Sequence, residues 1–581
     1  MPSPNPEPRA ASGARTTVEA LRARPECEVL IIGAGINGIA TFRDLALNGV
    51  DVVLIDRDDY VAGASSASSH MIHGGIRYLE NGEFRLVKES VHERNALLRL
   101  APHYVRPLPT TIPIFSTFSS LLSAPLRFIG VKTRGKKERG ALIIKVGLMI
   151  YDLFSRDGGR VPRHQFRGRR ASHELLPALR RDVKWTATYY DASMHDPERL
   201  ALDVLMDGTA AGDRARASNY VEAVGMDAQG VVHLRDALTG ETFGMRARVV
   251  VNASGPWTDL TNESLGDPSE HMGGTKGSHI VVDHPELLAA CNGREIFFEF
   301  TDGRIVLIYP LKGRVLIGTT DIAHDMAEPI RCTEEEVDYF FDVVRYVFPS
   351  IPVDRSHIVF RFSGVRPLPR QDAASNAQIS RDYRVEESSR GGVPVLSLVG
   401  GKWTTFRALG EQLGSRVLEL LGRTRSVSTD GRLIGGAVGY PTTPIEREQW
   451  VAEHGSTLGA DRALALLDRY GTSAEAIIRR IEGAQDEPLR SAPDYSRAEI
   501  VHLVETEQVV RLVDVLLRRT SLAFRGLVTG ALLSELADLL GDVLDWNADR
   551  REHERDDARL YLAERHGIDL ADATLRGAGK G

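Results

Sequence analysis

A glycine-rich turn, GAGING at residues 33–38, limits this chain to a small group of folds. The turn follows an apolar segment, Val29–Ile32, that predicts a β-strand, and it precedes a segment, Ile39–Asn48, that predicts a helix. A second predicted strand, Val52–Ile55, comes next. The order strand, turn, helix, strand is the βαβ unit with which dinucleotide-binding α/β domains begin.

The glycines of this turn, together with an acid after the second strand, indicate a dinucleotide site. Gly33 permits the tight turn, Gly35 lets a phosphate approach the backbone, and Gly38 lets the helix pack closely on the strand. The helix N-terminus offers N–H groups to a pyrophosphate, and Asn37 of the turn is a further candidate cofactor-binding residue. Asp56 lies 18 residues after Gly38 and is placed to accept hydrogen bonds from an adenosine ribose.

A second glycine pair, Gly400–Gly401, indicates which dinucleotide is bound. It follows a predicted strand, Val395–Val399, and opens a predicted helix, Thr404–Leu421. A third predicted strand, Val249–Val251, runs into a loop that contains Gly255 and is placed to contact the same ligand. Two glycine-lined helix starts that lie far apart in sequence suit an extended FAD better than NAD.

The remaining patterns predict two further regions. Short apolar runs between Glu295 and Ile317, separated by Asp-Gly and Lys-Gly turns, predict an antiparallel meander. After Asp461, apolar residues recur at helical spacing and predict helices over 463–470, 474–481 and 499–517. The predicted fold class is therefore α/β, with an antiparallel-sheet domain and a C-terminal all-helical domain.

Composition argues against several classes of protein. A net charge of −7 leaves no basic excess to hold a nucleic-acid backbone. Cys27, Cys291 and Cys332 have no CxxC spacing, which argues against a disulfide framework or a structural zinc site and fits a cytosolic protein. We expect no metal cluster. No run of 18 apolar residues predicts a transmembrane helix, and residues 1–25 predict a disordered tail rather than a secretory signal.

Five further motifs occur in order and carry a resemblance to a known family. They are SSASSHMIHGGIRYL at 65–79, KGSH at 276–279, IGTTD at 317–321, SGVRP at 363–367 and GGKWTTFR at 400–407. Together with LVETE at 503–507 and RRT at 518–520, they resemble the FAD-dependent, respiratory glycerol-3-phosphate dehydrogenases over about residues 27–525.

The resemblance implies a fold of the glutathione-reductase type with a discontinuous FAD-binding domain. That domain would comprise residues 26–110, 186–265 and 356–425. A substrate domain would comprise 111–185 and 266–355. A C-terminal helical domain over 440–560 and a tail over 561–581 would complete the chain.

The resemblance also implies a reaction, the oxidation of sn-glycerol 3-phosphate to dihydroxyacetone phosphate. The C2 hydrogen would leave as a hydride to FAD, the hydroxyl proton would pass to a base, and electrons would continue to a membrane quinone. A glycerol-3-phosphate oxidase that uses O2 is the nearest alternative. An amino-acid or amine oxidase on the same fold and a non-catalytic flavin-binding protein are more distant ones.

Five residues would then carry the substrate chemistry. Arg366 would clamp the phosphate, Arg77 would be a second cation, and Tyr78 would close the pocket. His279 would be the base, because an imidazole titrates near neutral pH. Lys402 would bind phosphate or polarise the carbonyl oxygen.

The other motif residues would line the cofactor. They are Ser65, Ser66, Ser68, Ser69, His73, Gly74, Gly75, Gly255, Gly400, Gly401 and Thr404. His70 departs from the family motif, which commonly has Lys at this position. Asp321 is expected to tie down a strand end, and the run Glu334–Glu336 is expected to be a solvated helix face.

Apolar residues beside a basic cluster favour a peripheral contact with an anionic lipid surface. The apolar residues are Phe115, Phe118, Leu121, Leu122, Leu126, Phe128 and Ile129. The cations are Lys132, Arg134, Lys136, Lys137 and Arg139, followed by Arg156, Arg160, Arg163, Arg167, Arg169 and Arg170. The protein would lie in the cytoplasm at the inner face of the cell membrane. A solvated basic loop is the alternative, and the oligomeric state, with a homodimer considered, stays open.

Overall fold

The first sheet is built on the parallel strands that the glycine motif predicts. The computed structural model describes residues 15–75, 84–115, 141–155, 161–370, 383–483 and 486–570. In this part of the chain, the strand order of the first sheet is Arg384–Arg390, Val393–Val399, Thr242–Asn252, Glu26–Ile32, Val52–Ile55 and Ala215–Ser218. The last five of these strands run parallel, and their apolar residues are covered on both faces, as is usual for parallel sheets. A hairpin, Val221–Met226 and Val231–Asp236, extends from Thr242–Asn252.

The second sheet contains the predicted meander. Its strand order is Ile322–Ala323, Thr275–Val282, Arg314–Gly318, Ile305–Leu311, Glu295–Glu299, Val105–Ile114, Trp185–Met194 and Met71–Ile72. Ile358–Arg366 pairs with the other edge of Thr275–Val282, and Gln165–Gly168 pairs with Trp185–Met194. All these pairings are antiparallel except that of Glu295–Glu299 with Val105–Ile114.

This strand order corrects the predicted domain boundaries. Met71–Ile72, Val105–Ile114, Trp185–Met194 and Ile358–Arg366 all lie in the second sheet, although the prediction assigned most of their residues to the FAD-binding domain. The chain crosses between the sheets more often than its local patterns reveal. Which strands pair depends on packing between residues that are distant in sequence, and a local hydrophobic pattern does not predict it.

Helices cover the sheets and form the C-terminal region. Before residue 430 they are Thr16–Ala23, Ile36–Leu47, Phe84–Leu100, Ala141–Ser155, Arg169–Leu175, Pro197–Thr209, Thr258–Ser264, Pro285–Cys291, Glu334–Val347 and Phe406–Leu420. After it they are Pro444–His454, Ala460–Tyr470, Ala474–Glu482, Arg497–Thr506, Leu512–Asp514, Gly530–Val543 and Ala548–His566. None of the helices in the described ranges is both long and apolar enough to cross a bilayer.

Three terminal or helical predictions are wrong. The expected tail over 1–25 contains the helix Thr16–Ala23, whose Val18 and Leu21 are buried. The helix expected over 499–517 is interrupted after Thr506 and continues at Leu512. The tail expected from residue 561 begins inside the helix Ala548–His566, where Leu562 is fully buried. At both termini, burial of a few apolar side chains orders a helix in a segment whose local composition predicts a tail.

Buried ion pairs join the C-terminal helices to the first sheet. Arg519 binds Asp59 in a bidentate pair at 2.6 and 2.9 Å, and Arg518 donates to the same carboxylate. Burial alone would raise the pKa of Asp59, but the two guanidinium groups outweigh it and hold that pKa below its usual range. Asp59 lies three residues after Asp56, so the C-terminal region is fixed directly to the loop that follows the glycine motif.

Candidate active site

A cavity of about 600 Å³ runs along the glycine motif. Gly33, Gly35, Asn37 and Asp56 line it, together with Ser65 from the SSASS segment. These residues come from three separate stretches of sequence, and the fold brings them to the carboxyl ends of the parallel strands. That edge is where open α/β sheets bind their ligands.

Two of the motif glycines are required by close approach of the backbone. Gly33 has a φ of +105°, and a Cβ there would lie 2.7 Å from the Ala253 carbonyl oxygen. A Cβ on Gly38 would lie 1.9 Å from the Gly33 carbonyl oxygen. The helix Ile36–Leu47 can therefore start directly above the strand end only because these positions lack side chains.

The residues around the helix start fit a dinucleotide. The first turn of a helix leaves N–H groups without intrahelical partners. Asn37 lines the same cavity, and its Oδ1 atom is buried with no hydrogen-bond partner among the described residues. Asp56 accepts the Ala34 N–H at 2.6 Å, and burial and Asp58 raise its pKa to about 7. A donor such as a ribose hydroxyl would stabilise its charged form.

The second glycine pair meets the first motif in space, as the prediction of one extended ligand requires. Gly400 and Gly401 have φ values of +97° and +111°. A Cβ on Gly401 would lie 2.2 Å from the Asn37 side-chain nitrogen. Gly255, with a φ of +64°, lines the cavity from the loop after the strand Thr242–Asn252, and no heavy atom of the described residues would lie within 4 Å of a Cβ there.

The serine segment connects this cavity to the second sheet. Ser65 Oγ accepts the Ile36 N–H at 3.0 Å, and Ser69 Oγ lies 2.8 Å from His279 Nε2. Ser66 and Ser68 make local hydrogen bonds, to the Gly63 carbonyl and from the His70 N–H respectively.

The HGG segment that follows the serines has structural contacts. The His73 carbonyl accepts from the Thr404 hydroxyl at 3.3 Å, and the Gly74 N–H donates to Asp191 at 2.9 Å. A Cβ on Gly74 would lie 2.1 Å from the Tyr151 hydroxyl oxygen, so the absence of a side chain there is a packing requirement. Gly75 has a φ of +75°, which explains the second glycine of this segment.

His279 lies on the strand Thr275–Val282, on the face that meets the serine segment. Its ring stacks on Phe362 with centroids 4.7 Å apart, and it is only 2% exposed. Its Nδ1 atom has no hydrogen-bond partner in the described part of the chain. Burial, and after it the nearby Arg366 cation, hold the pKa of His279 well below its ordinary value, so the imidazole is neutral near pH 7.

Arg366 lies on the same face, because it pairs with Thr275, four residues before His279 on the same strand. Its guanidinium donates to Asp321 Oδ1 at 3.1 Å, to Thr319 Oγ1 at 3.1 Å and to the Thr320 carbonyl at 3.0 Å. A phosphate at this position would share the guanidinium with the Asp321 carboxylate. Asp321 therefore has a specific partner in the site, beyond its predicted place at a strand end.

Of the other three predicted substrate residues, the structure describes only Lys402. Lys402 is half-buried at the start of the short helix Trp403–Thr405, directly after the second glycine pair. Arg77 and Tyr78 lie outside the described residues, as do the predicted lipid-binding cations from Lys132 to Arg139.

One acid near the site differs from its predicted setting, and its partner is Lys276 on the strand Thr275–Val282. Glu334 and Glu335 are exposed as expected, whereas Glu336 is only 2% exposed and contacts Lys276. The Thr333-x-x-Glu336 spacing is a capping box, and that pattern is the sequence signal by which the inward-facing acid could have been found.

Comparison with known proteins agrees with this geometry. Residues 28–413 match the family described as FAD dependent oxidoreductase, and residues 426–551 match the C-terminal domain of alpha-glycerophosphate oxidase. A glycerol-3-phosphate dehydrogenase of Synechocystis sp. is 33% identical over 92% of this chain and 96% of that protein. A D-erythritol 1-phosphate dehydrogenase of Brucella abortus is 31% identical over 86% of this chain and 95% of that protein.

A solved structure shows the same fold. The glycerol-3-phosphate dehydrogenase from Bacillus halodurans, complexed with FAD, superposes with a TM-score of 0.72 at 23% identity and covers 95% of this chain and 98% of that one. The fold and site define an FAD-dependent oxidoreductase. Within that class, the chain belongs to the family that includes the FAD-dependent glycerol-3-phosphate dehydrogenases.

Proposed function

We propose that this enzyme oxidises sn-glycerol 3-phosphate to dihydroxyacetone phosphate and passes the electrons to a membrane quinone. The observation that supports the proposal is that His279 and Arg366 lie on one sheet face, where His279 contacts Ser69 of the serine segment, whose Ser65 and Ser66 line the cofactor cavity. When bound, FAD supplies the acceptor for the C2 hydride. A base and a cation on one sheet face would suit a substrate alcohol that carries a phosphate.

His279 is the proposed base for the C2 hydroxyl proton. Its low pKa keeps the ring unprotonated at neutral pH, so a nitrogen lone pair is available to accept the proton. The hydrogen bond between Nε2 and Ser69 fixes the orientation of the ring, and stacking on Phe362 restricts its rotation.

Arg366 is the proposed phosphate ligand. A guanidinium presents a planar fork of donors that suits phosphate, and three hydrogen-bond acceptors on residues 319–321 set its plane. We assign Lys402 and Arg77 as further cations for the phosphate or the developing carbonyl, and Tyr78 as the residue that closes the pocket.

The test is anaerobic addition of sn-glycerol 3-phosphate to the purified holoenzyme. We expect the absorbance of oxidised flavin to disappear, and dihydroxyacetone phosphate to form in equal amount. The enantiomer sn-glycerol 1-phosphate and unphosphorylated glycerol are the controls, and D-erythritol 1-phosphate tests the activity named for one relative. Flavin that stays oxidised with sn-glycerol 3-phosphate, or that responds equally to glycerol, would contradict the proposal.

The electron acceptor requires a separate measurement, because the matched C-terminal family is named for an oxidase. We expect the reduced enzyme to be reoxidised faster by a short-chain ubiquinone or menaquinone analogue than by air-saturated buffer. Stoichiometric hydrogen peroxide without a faster quinone reaction would assign the enzyme to the oxidase alternative.

We further propose that the enzyme binds the anionic inner face of the cell membrane from the cytoplasm. Val146 and Met149 expose 46% and 54% of their surface on the apolar helix Ala141–Ser155, and Arg169 and Arg170 begin the next described helix. Flotation with anionic liposomes should succeed, weaken with salt and fail with neutral lipid. Replacing the five cations between Lys132 and Arg139 with Ser should abolish it, and a variant that floats like wild type would remove this anchor.

A further inference from the structure

We call the face of the second sheet that carries His279 and Arg366 the proposed substrate face. Residues on the opposite face are hydrogen-bonded to residues that hold Arg366. Side chains alternate along the strand Thr275–Val282, so His279 faces the serine segment while Lys276 and Ser278 face the helix Glu334–Val347. At the start of that helix, Glu336 points into the sheet and is 2% exposed. The proposed reaction gives this buried acid no direct role.

Glu336 is a hub of four hydrogen bonds. Its donors are Lys276 Nζ at 2.9 Å, Ser278 Oγ at 2.8 Å, Thr320 Oγ1 at 2.7 Å and the Thr333 N–H at 2.9 Å. Each carboxylate oxygen accepts two of them. Burial alone would raise the pKa of Glu336, but the hydrogen bonds, that from Lys276 first, outweigh it and lower the pKa. The group is therefore ionised at neutral pH, and the four hydrogen bonds stabilise its charge.

Thr320 connects this hub to the guanidinium on the other side. Its hydroxyl donates to Glu336 at 2.7 Å and accepts the Ser278 N–H at 2.9 Å, so two hydrogen bonds fix the position of this hydroxyl. Its carbonyl oxygen accepts from Arg366 at 3.0 Å. The residues on either side of it, Thr319 and Asp321, supply the other two short hydrogen bonds to that guanidinium.

The same segment also sets the space around the proposed base. Gly318 pairs with His279 across the two strands, and a Cβ there would lie 2.1 Å from the His279 ring. A shift of residues 318–321 would therefore disturb both the guanidinium plane and the imidazole.

We propose that Glu336 is a positioning residue for the phosphate ligand Arg366. It contacts no substrate; it fixes Thr320 from behind the sheet, and Thr320 with its neighbours fixes the direction in which the guanidinium points. This inference rests on the proposed function, because it assigns to Arg366 the phosphate of sn-glycerol 3-phosphate. Small displacements of a charged ligand group weaken binding strongly, which is why a group outside the site can control it.

The test is Glu336→Gln in the holoenzyme, with Glu335→Gln as the matched control. Glu335 is the adjacent residue on the same helix and is exposed, so the same chemical change there should leave KM unchanged. For Glu336→Gln we expect KM for sn-glycerol 3-phosphate to rise about 10-fold to 100-fold while kcat changes less than about 3-fold. The dissociation constant of dihydroxyacetone phosphate, from its perturbation of the flavin spectrum, should rise in parallel.

A double-mutant cycle separates positioning from general stability. In an Arg366→Lys background the planar fork is already lost, so Glu336→Gln should add little to KM. If Glu336→Gln does not fold, Thr320→Val removes the connecting hydroxyl and should raise KM in the same way. A wild-type KM in the soluble variant, or a KM effect of full size in the Arg366→Lys background, would overturn the inference. Wild-type flavin that sn-glycerol 3-phosphate fails to bleach would instead overturn the proposed function itself.

Discussion

The cofactor cavity and the proposed substrate face of the second sheet, which carries His279 and Arg366, depend on opposite structural features. The cavity depends on missing side chains: Gly33, Gly38 and Gly401 allow backbone and side chains to approach within distances that any Cβ would block. The substrate face depends on side chains that hydrogen bonds hold in place, His279 by Ser69 and Arg366 by residues 319–321. We therefore expect side-chain atoms added in the cavity to abolish FAD binding. Side-chain atoms removed from His279 or Arg366 should instead impair substrate binding or catalysis.

The largest expected effect comes from adding atoms to the cavity. Gly35 lines it with ordinary backbone geometry, and among the described residues only Ser65 Oγ, at 3.2 Å, would lie within 4 Å of a Cβ there. Gly35→Val should fold but contain almost no FAD, measured as flavin released on denaturation. Gly33→Val should also lose FAD, with strain added by its φ of +105°. Gly530→Val is the control, because a Cβ at that position would meet no atom within 4 Å in the part of the chain that the structure describes. Full FAD occupancy in Gly35→Val would refute the assignment of the cavity.

The next largest effect comes from removing the base. His279→Ala should retain FAD and reduce the rate of flavin reduction by sn-glycerol 3-phosphate on the order of 10²-fold to 10⁴-fold, the range for loss of a general base. His233→Ala, an exposed histidine on the hairpin of the first sheet, should match wild type. Stopped-flow absorbance measures both. An unchanged rate in His279→Ala would place the base elsewhere.

Removing the guanidinium should have a smaller effect that appears mainly in binding. For Arg366→Ala we expect kcat/KM to fall about 30-fold to 1000-fold, because a charge-assisted contact with the phosphate is lost. Glycerol should remain an equally poor substrate of both proteins, since it has no phosphate to lose. A near-normal kcat/KM, or an equal loss with glycerol, would remove Arg366 from the phosphate site.

The smallest effect concerns pH. Because burial and Arg366 depress the pKa of His279, flavin reduction at saturating substrate should stay constant down through the ordinary histidine range and decline only at lower pH. Arg366→Gln removes one of these two causes, so the acidic decline should move to higher pH. Arg355→Gln, an exposed arginine paired with Glu334 and Asp338, should leave the decline in place. A decline that does not move would show that the cation has no influence on the base.

The same contrast explains what the sequence could predict. The glycine motif, its helix and Asp56 lie within about 25 residues, so local spacing was enough to identify the cofactor site. The resemblance supplied His279 and Arg366, but not the pairing that places both on one face, because their strands lie some 80 residues apart. The run Glu334–Glu336 predicts a solvated face because three successive acids are usually exposed, and the capping-box spacing from Thr333 is the one local signal that distinguishes Glu336.

The ion pairs between Asp59 and the two arginines limit how this architecture can be recombined. Trp450, Leu503 and Leu540 of the C-terminal helices share one hydrophobic core with Val281 and Phe360 of the second sheet. A chimera that exchanged the helical region for one from a distant relative would have to preserve both this core and the Asp59 partners next to the cofactor loop. The two matched regions therefore depend on each other structurally, and a helical region without arginines at 518 and 519 would leave the Asp59 charge without these two partners.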